Sequence, residues 1–239
     1  MIVKPIKTRI FKEGENLTRF IFKHVPKMKE GSILVITSKI VALSEERTAA
    51  LGTKKEKERL IRSESEVMTR SPYAWITLKD GILLSNAGVD ESNANGKMVL
   101  LPRNSYRAAQ KLRAALLKKY NIRNLGIVIT DSRTMPLRSG TIGIALGYAG
   151  FKGLRDYRQT PDIFGRLFKV SRANIADGLS ASGVLAMGEG AEQTPLAVIE
   201  NARVDFTDRS ARNELSIPPE DDMYRPYLRV PRPRKNNSR

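Results

Sequence analysis

Gly31-Ser32-Ile33-Leu34-Val35-Ile36-Thr37-Ser38-Lys39 decides how the rest of the chain is read. Gly31-Ser32 turns the chain into four consecutive apolar residues, a short continuous run that predicts a buried strand. Thr37, Ser38 and Lys39 follow at its C-terminal end, a position where ligands are met in α/β folds and where a plain helix cap is the competing reading. Ile127-Val128-Ile129-Thr130-Asp131-Ser132 has the same build: a strand over residues 125–130 with an acid and a hydroxyl at its exit.

Helical and extended segments alternate irregularly around these two runs. Residues 2–11 alternate loosely enough for a first strand, and 16–22 recur at helical spacing. Residues 54–69 predict an amphipathic helix with Leu60, Ile61, Glu64, Val67 and Met68 on one side, ended by Ser71-Pro72. The apolar runs 75–78 and 82–84 flank Lys79-Asp80-Gly81 as a hairpin. Asn104 or Ser105 can cap a helix whose apolar side carries Ala108, Leu112, Ala115, Leu116 and Tyr120, with Arg107, Lys111, Arg113, Lys118 and Lys119 on the rest. Gly143 and Gly147 imply a bend or close backbone approach. Residues 153–166 read as a loop holding Arg155, Asp156, Tyr157, Arg158, Asp162 and Arg166, either facing a substrate or joined in structural ion pairs. Residues 170–176 suggest a strand, and 177–187, rich in Ala, Gly and Ser, permit tight helix packing. Periodicity fades near Asp205, which divides the chain into a domain over 1–204 and a basic arm or tail over 205–239.

The 239 residues, 41% apolar and 28% charged, have the balance of a soluble globular protein. No run approaches a membrane span and the first residues lack the apolar block of a signal peptide, so a cytoplasmic protein without membrane contact is expected. The absence of cysteine and a single histidine, His24, exclude disulfides, thiol chemistry, zinc centres and histidine triads. A metal would have to be held by oxygen, which suits Mg²⁺ or Mn²⁺. The net charge is +17, of which six charges belong to Arg225, Arg229, Arg232, Arg234, Lys235 and Arg239 in the acid-free residues 224–239, leaving +11 for residues 1–223. A polyanionic small molecule, a polynucleotide and a merely solvated basic surface all fit that field.

Three stretches offer acids at the edge of a buried element: Asn86-Ala87-Gly88-Val89-Asp90-Glu91-Ser92-Asn93, the 127–132 run, and Met187-Gly188-Glu189-Gly190. Each alone reads equally as side chains that cap turns. Together they suggest a divalent cation. Neither G-x-x-x-x-G-K-[ST] nor a strand-linked G-x-G-x-x-G occurs, so phosphates would be held by metal, basic side chains and the turn at Gly188–Gly190. Two metal ions can neutralise a triphosphate and align an in-line transfer.

Ser38-Lys39-Ile40-Val41 with Glu45 and Arg47, N-A-G-V-D-E-S-N at 86–93, L-P-R-N-S at 101–105, I-T-D-S at 129–132, R-S-G at 138–140, L-R-D-Y-R at 154–158, F-G-R at 164–166, A-D at 176–177 and M-G-E-G at 187–190 closely resemble the coenzyme F420-0:γ-glutamyl ligases. The likeness runs in order from about residue 6 to 200 and leaves out the tail. It implies an α+β fold in an unusual two-part arrangement, an intertwined homodimer, and GTP-dependent joining of L-glutamate to an acceptor carboxylate through an acyl phosphate. The acceptor implied is F420-0, with a folate as runner-up; a basic nucleic-acid-binding protein is the rival from another class. The resemblance makes Asp90, Asp131 and Glu189 catalytic, with Asp90 and Asp131 as ligands of one divalent ion and Ser132 and Glu189 of a second, and K⁺ as an assisting ion. Thr8, Arg9, Ile10, Phe11, Ser38, Lys39, Asn93, Met187, Gly188, Glu189, Gly190, Ala191, Glu192, Gln193 and Thr194 would border the nucleotide. Family members commonly carry lysine at Leu43, glycine at Gln193 and threonine at Ser132, and the last exchange keeps the hydroxyl.

Overall fold

The two apolar runs lie side by side, Leu34 opposite Ile127 and Ile36 opposite Ile129 in a parallel pair. The computed structural model describes residues 1–209 and 213–226. In chain order they form β1 (Ile2–Ile6), α1 (Leu17–His24), β2 (Ser32–Thr37), α2 (Ser38–Ser44), β3 (Thr48–Ala50) and α3 (Lys54–Ser63). Next come β4 (Val67–Arg70), β5 (Trp75–Lys79), β6 (Ile82–Ser85), a 3₁₀ turn (Asn86–Gly88), β7 (Lys97–Val99) and α4 (Ser105–Tyr120). The last elements are β8 (Leu125–Thr134), β9 (Thr141–Ala149), β10 (Leu154–Asp156), β11 (Arg172–Asn174), α5 (Ile175–Met187) and β12 (Leu196–Glu200). The fold is mixed α+β with four small sheets among the described residues. Five α-helices are described, none long and apolar enough to cross a membrane. The basic tail positions Arg229, Arg232, Arg234, Lys235 and Arg239 lie outside the described residues.

The chain divides into two compact units, one of residues Met1–Arg47 with Pro102–Leu215 and one of Thr48–Leu101 with the chain from Ser216. The first is built on a five-stranded sheet in the order β1-β12-β2-β8-β9, with only β2 and β8 parallel. Strand side chains alternate faces, and the alternation sorts the apolar runs into two cores. Leu34, Ile36, Leu125, Ile127, Ile129, Leu196 and Val198 pack with Leu17, Phe20 and Ile21 of α1, Ile40 and Val41 of α2, and Leu112 and Leu116 of α4. Ile33, Val35, Val128, Ala197 and Ile199 face the other way, onto Ala176, Leu179 and Met187 of α5 with Tyr148 and Phe151. Cover on both faces explains why these strands read as continuous apolar runs, and each fully buried Leu or Ile contributes about 1.5–3 kcal/mol. Pro5 sits on the edge strand β1, where its missing N–H costs no ladder bond. Gly143 and Gly147 allow close approach on opposite sides: a Cβ would lie 2.6 Å from Val184 of α5 at the first and 2.5 Å from the Ser105–Tyr106 backbone of α4 at the second.

The second unit holds β3-β7, the meander β4-β5-β6 and α3. Its small core is Ile61, Ala87, Val89, Met98 and Leu100. Buried Thr77 donates from its hydroxyl to Leu84 O at 2.7 Å and accepts from Ala87 N at 2.8 Å, tying the hairpin to the 3₁₀ turn. The expected hairpin is present, with Asp80 and Gly81 at φ 51° and 75° as a two-residue turn requires.

Several boundaries differ from the sequence expectations. The helix expected over 54–69 ends at Ser63, and Val67–Arg70 pair with β5 instead. Ser63 and Ser65 turn their hydroxyls onto Leu60 O and Ile61 O, and Glu66 N donates to Leu78 O, so the backbone leaves the helix ladder for the sheet. The first strand ends at Ile6, because Thr8 N is given to Gln193 O rather than to the ladder. Strand β8 runs on to Thr134, which places Asp131 and Ser132 inside the strand, paired with Ile144 and Gly143, rather than at its exit. The strand expected over 170–176 is confined to Arg172–Asn174, because Asn174 accepts from Asp177 N at 3.0 Å and starts α5 there. Within 153–166, Leu154–Asp156 form β10, and Arg158 pairs with Asp156 at 2.5 Å.

The Arg158 side chain holds the Asp156 carboxyl at about 2, below its ordinary 3.8. A depressed folded-state value means that this contribution to stability is fully present above pH 4 and is lost as the pH falls through about 2. An NMR titration of Asp156 is expected to show a midpoint near 2 that returns toward 3.8 in Arg158→Ala.

Candidate functional site

Strand register gathers several motifs of the first unit. Ile6 at the end of β1 stands opposite Leu196, Leu196 opposite Ile36, and Ile36 beside Ile129. The exits of β1 and β2, the entry of β12 and the second half of β8 therefore share one end of the sheet. Thr8–Phe11 leave β1 there, Ser38 and Lys39 follow β2, Asp131 and Ser132 extend β8, and Met187–Thr194 lead into β12. The C-terminal ends of parallel strands are where open sheets of mixed topology meet their ligands.

Ser132 and Glu189 are brought together, with Ser132 Oγ donating to Glu189 Oε1 at 2.5 Å. Ser132 lies opposite Gly143, whose missing side chain leaves α5 close against the sheet, and Glu189 follows directly on that helix. The one-residue step from Ser132 turns Asp131 to the opposite face, although Asp131 Oδ1 still accepts from Ser132 N at 2.9 Å. Both strand residues are half-buried and Glu189 is exposed. Among the described residues of this unit no three carboxylates converge on one point.

The segment after α5 is folded on itself. Gly188 caps the helix, Gly190 N donates to Glu192 Oε2 at 2.8 Å, and Thr194 Oγ1 donates to Met187 O. The segment is tied to the β1 exit by Thr8 N to Gln193 O at 2.9 Å and by Lys7 Nζ to Glu192 O at 2.8 Å. Thr37 N donates to Pro195 O at 3.0 Å and brings the start of α2 to the same place. Thr8, Phe11 and Ser38 are buried, whereas Ile10 is exposed. Arg9 forks onto Glu15 with two bonds of 2.9 Å and lies over the Phe20 ring, and Phe11 meets that ring edge-on. Sequence reading passed over Lys7, whose role rests on a contact 185 residues away and leaves no local signal.

Asp90 and Asn93 belong to the second unit. Asp90 bridges Val99 through both backbone groups, and its carboxylate accepts from Ser92 N at 2.8 Å and Ser92 Oγ at 2.7 Å. Asn93 is exposed at φ 49°. Asn86, the first residue of the same stretch, accepts at its Oδ1 from Trp75 N at 3.0 Å, which makes it a turn cap.

The departures at Leu43 and Gln193 have local accounts. Leu43 is half-buried against the first core, so its side chain does the work of packing. Gln193 has φ 57°, a conformation that disfavours side chains with a Cβ by about 1 kcal/mol. Gln193→Gly is expected to raise unfolding stability by roughly that amount, read by urea denaturation.

A family model described as F420-0:Gamma-glutamyl ligase matches residues 5–201. The coenzyme F420:L-glutamate ligase of Methanococcus maripaludis strain C7 is 33% identical over 231 residues, covering 89% of this chain and 92% of that protein. The protein of the same name from Methanocaldococcus jannaschii is 32% identical over 236 residues, 90% of this chain and 93% of its own length. That from Archaeoglobus fulgidus is 29% identical over 238 residues, with 92% and 94% covered. With strand register bringing the 38–41, 129–132 and 187–190 motifs to one end of the sheet, and the match spanning most of the chain, this protein belongs to the F420-0:gamma-glutamyl ligase family of amide-forming ligases.

Proposed function

We propose that this chain joins the amino group of L-glutamate to a carboxylate of coenzyme F420-0, consuming GTP and passing through an acyl phosphate. The observation that carries the reading is the Ser132–Glu189 pair beside Asp131, at the sheet end that also receives Thr8, Ser38 and the 187–194 segment. These donors are hard oxygens of the kind Mg²⁺ and Mn²⁺ select. Ser132 Oγ and Glu189 Oε1, 2.5 Å apart, would serve as neighbouring oxygen ligands of such an ion. The alternation of Asp131 and Ser132 across the strand suits two ions, with Ser132 and Glu189 as ligands of one and Asp131 of the other. When bound, such ions supply charge neutralisation to phosphate oxygens.

The residues of the chain do the remaining work. Lys39 offers a cation at the end of β2, and the 187–194 segment is held by its own hydrogen bonds, so that phosphates meet a pre-organised wall. An activated acceptor carboxylate can then be attacked by the glutamate nitrogen, with phosphate as the leaving group. Incubation with GTP, Mg²⁺ or Mn²⁺, K⁺, L-glutamate and F420-0 is expected to give the mass of one added glutamate, with ATP and a folate offered in parallel. No adduct from any acceptor would end this reading.

A homodimer is part of the same proposal. Ile163, Phe164 and Val170 are 91%, 88% and 82% exposed on the segment that follows β10. Such an apolar tip is surface that a second copy would cover. Sedimentation analysis is expected to show a dimer that Phe164→Asp shifts toward monomer.

A further inference from the structure

We propose that the cleft lined by Lys152, Arg155, Asp156, Arg172, Asp205 and Glu214 is a binding site for a small oxyanion, a carboxylate or phosphate group, separate from the Ser132–Glu189 pair. The cleft has a volume of about 410 Å³, within the range of small-ligand sites. It holds three acids and three bases, but these are not equally committed. Glu214 Oε2 accepts from Tyr148 Oη at 2.6 Å and from Gly153 N at 2.8 Å. Burial raises the Tyr148 pKa above the ordinary tyrosine value, and the phenol stays a donor to that carboxylate. Asp156 is taken by the Arg158 fork. Asp205 faces Arg155 at 3.9 Å, and Arg155 also donates to Arg203 O at 2.8 Å.

Lys152 and Arg172 keep their donors. Among the described residues neither side chain makes a hydrogen bond or an ion pair; Arg172, opposite Asp156 in the β10–β11 register, acts on that carboxylate only through its charge. With Glu214 and Asp156 supplied with donors and Asp205 offset by Arg155, the spare capacity of the cleft is cationic. A guanidinium fork and an ammonium beside a concave wall are the groups that bind a carboxylate or a phosphate oxyanion.

Its position separates the cleft from the motif site. Ile175 N and Ala176 N donate to Gly153 O at 2.8 and 3.2 Å, so the cleft lies by the first turn of α5, whereas Glu189 follows the last. Thirteen helical residues span about 20 Å, too far for one small ligand to touch both.

The test is an NMR titration of the ¹⁵N-labelled full chain with L-glutamate and, separately, with inorganic phosphate. Saturable shifts are expected at residues 152–156, 172 and 205. Saturation by glutamate alone identifies a carboxylate site, and saturation by phosphate a phosphoryl site. Lys152→Gln and Arg172→Gln are each expected to weaken binding by about tenfold, the loss of one charge-assisted hydrogen bond, while Ser132→Ala leaves it unchanged. Absence of saturable shifts at these residues with both anions, or equal binding there by the double variant, would overturn the proposal. The readout needs no turnover, so it stands or fails independently of the ligase assay.

Discussion

Asp131→Asn is expected to abolish glutamate transfer, with kcat lowered by more than about a hundredfold and the fold unchanged. Changes one shell away from a bound metal typically cost 10–100-fold, and a charged ligand in direct contact is expected to cost more. The fold should survive, because the bond that Asp131 Oδ1 accepts from Ser132 N is available to an asparagine oxygen as well. Glu189→Gln is expected to behave alike, since its amide oxygen can still accept from Ser132 Oγ. Steady-state rates beside circular dichroism and thermal unfolding separate the two quantities. Full activity in Asp131→Asn would remove the metal role assigned to this strand.

The second large effect concerns the scaffold. A Cβ at Gly147 would stand 2.5 Å from the carbonyl carbon of Ser105 and the nitrogen of Tyr106, which are backbone atoms without a rotamer to change. Gly147→Val must therefore push α4 away from β9 or bend the sheet, and it is expected to cost about 3 kcal/mol or more. For a chain of this length that corresponds to a Tm lower by about 6–12 °C. Gly147→Ala should fall between the two, because it introduces the same Cβ with less bulk beyond it. A valine variant that unfolds with the wild type would show that α4 is not pressed against this strand. Because Gly147 lies opposite Ile129, two residues before Asp131, activity should fall together with stability.

Much of this architecture was readable before folding was considered. The continuous apolar runs at 33–36 and 127–129 announced buried strands, and Asn104 caps α4 as its place before the apolar stripe indicated. Turn chemistry was equally local: Asp80 and Gly81 carry the positive φ values the hairpin needs. Competition between local and distant partners was not readable. Val67 and Met68 continue a helical stripe, yet their backbone is claimed by β5. The length of β8 depends on β9, seven or more residues away, and on a bulge between Ile129 and Thr130.

For function, the sequence by itself determined the chemistry available: oxygen donors, one histidine, no thiol, and ordered motifs that carry the family. Residue types and their order along the chain are enough for that, because they limit what can be bound without reference to shape. Tertiary structure alone decided which of those oxygens are free to act. It joined Ser132 to Glu189 across 57 positions, spent Asn86 on a backbone N–H, and turned Leu43 into core. The reason is physical: a hydrogen bond or a packing contact is satisfied by whichever partner the fold brings within reach, and sheet register, unlike composition, is a property of the assembled chain.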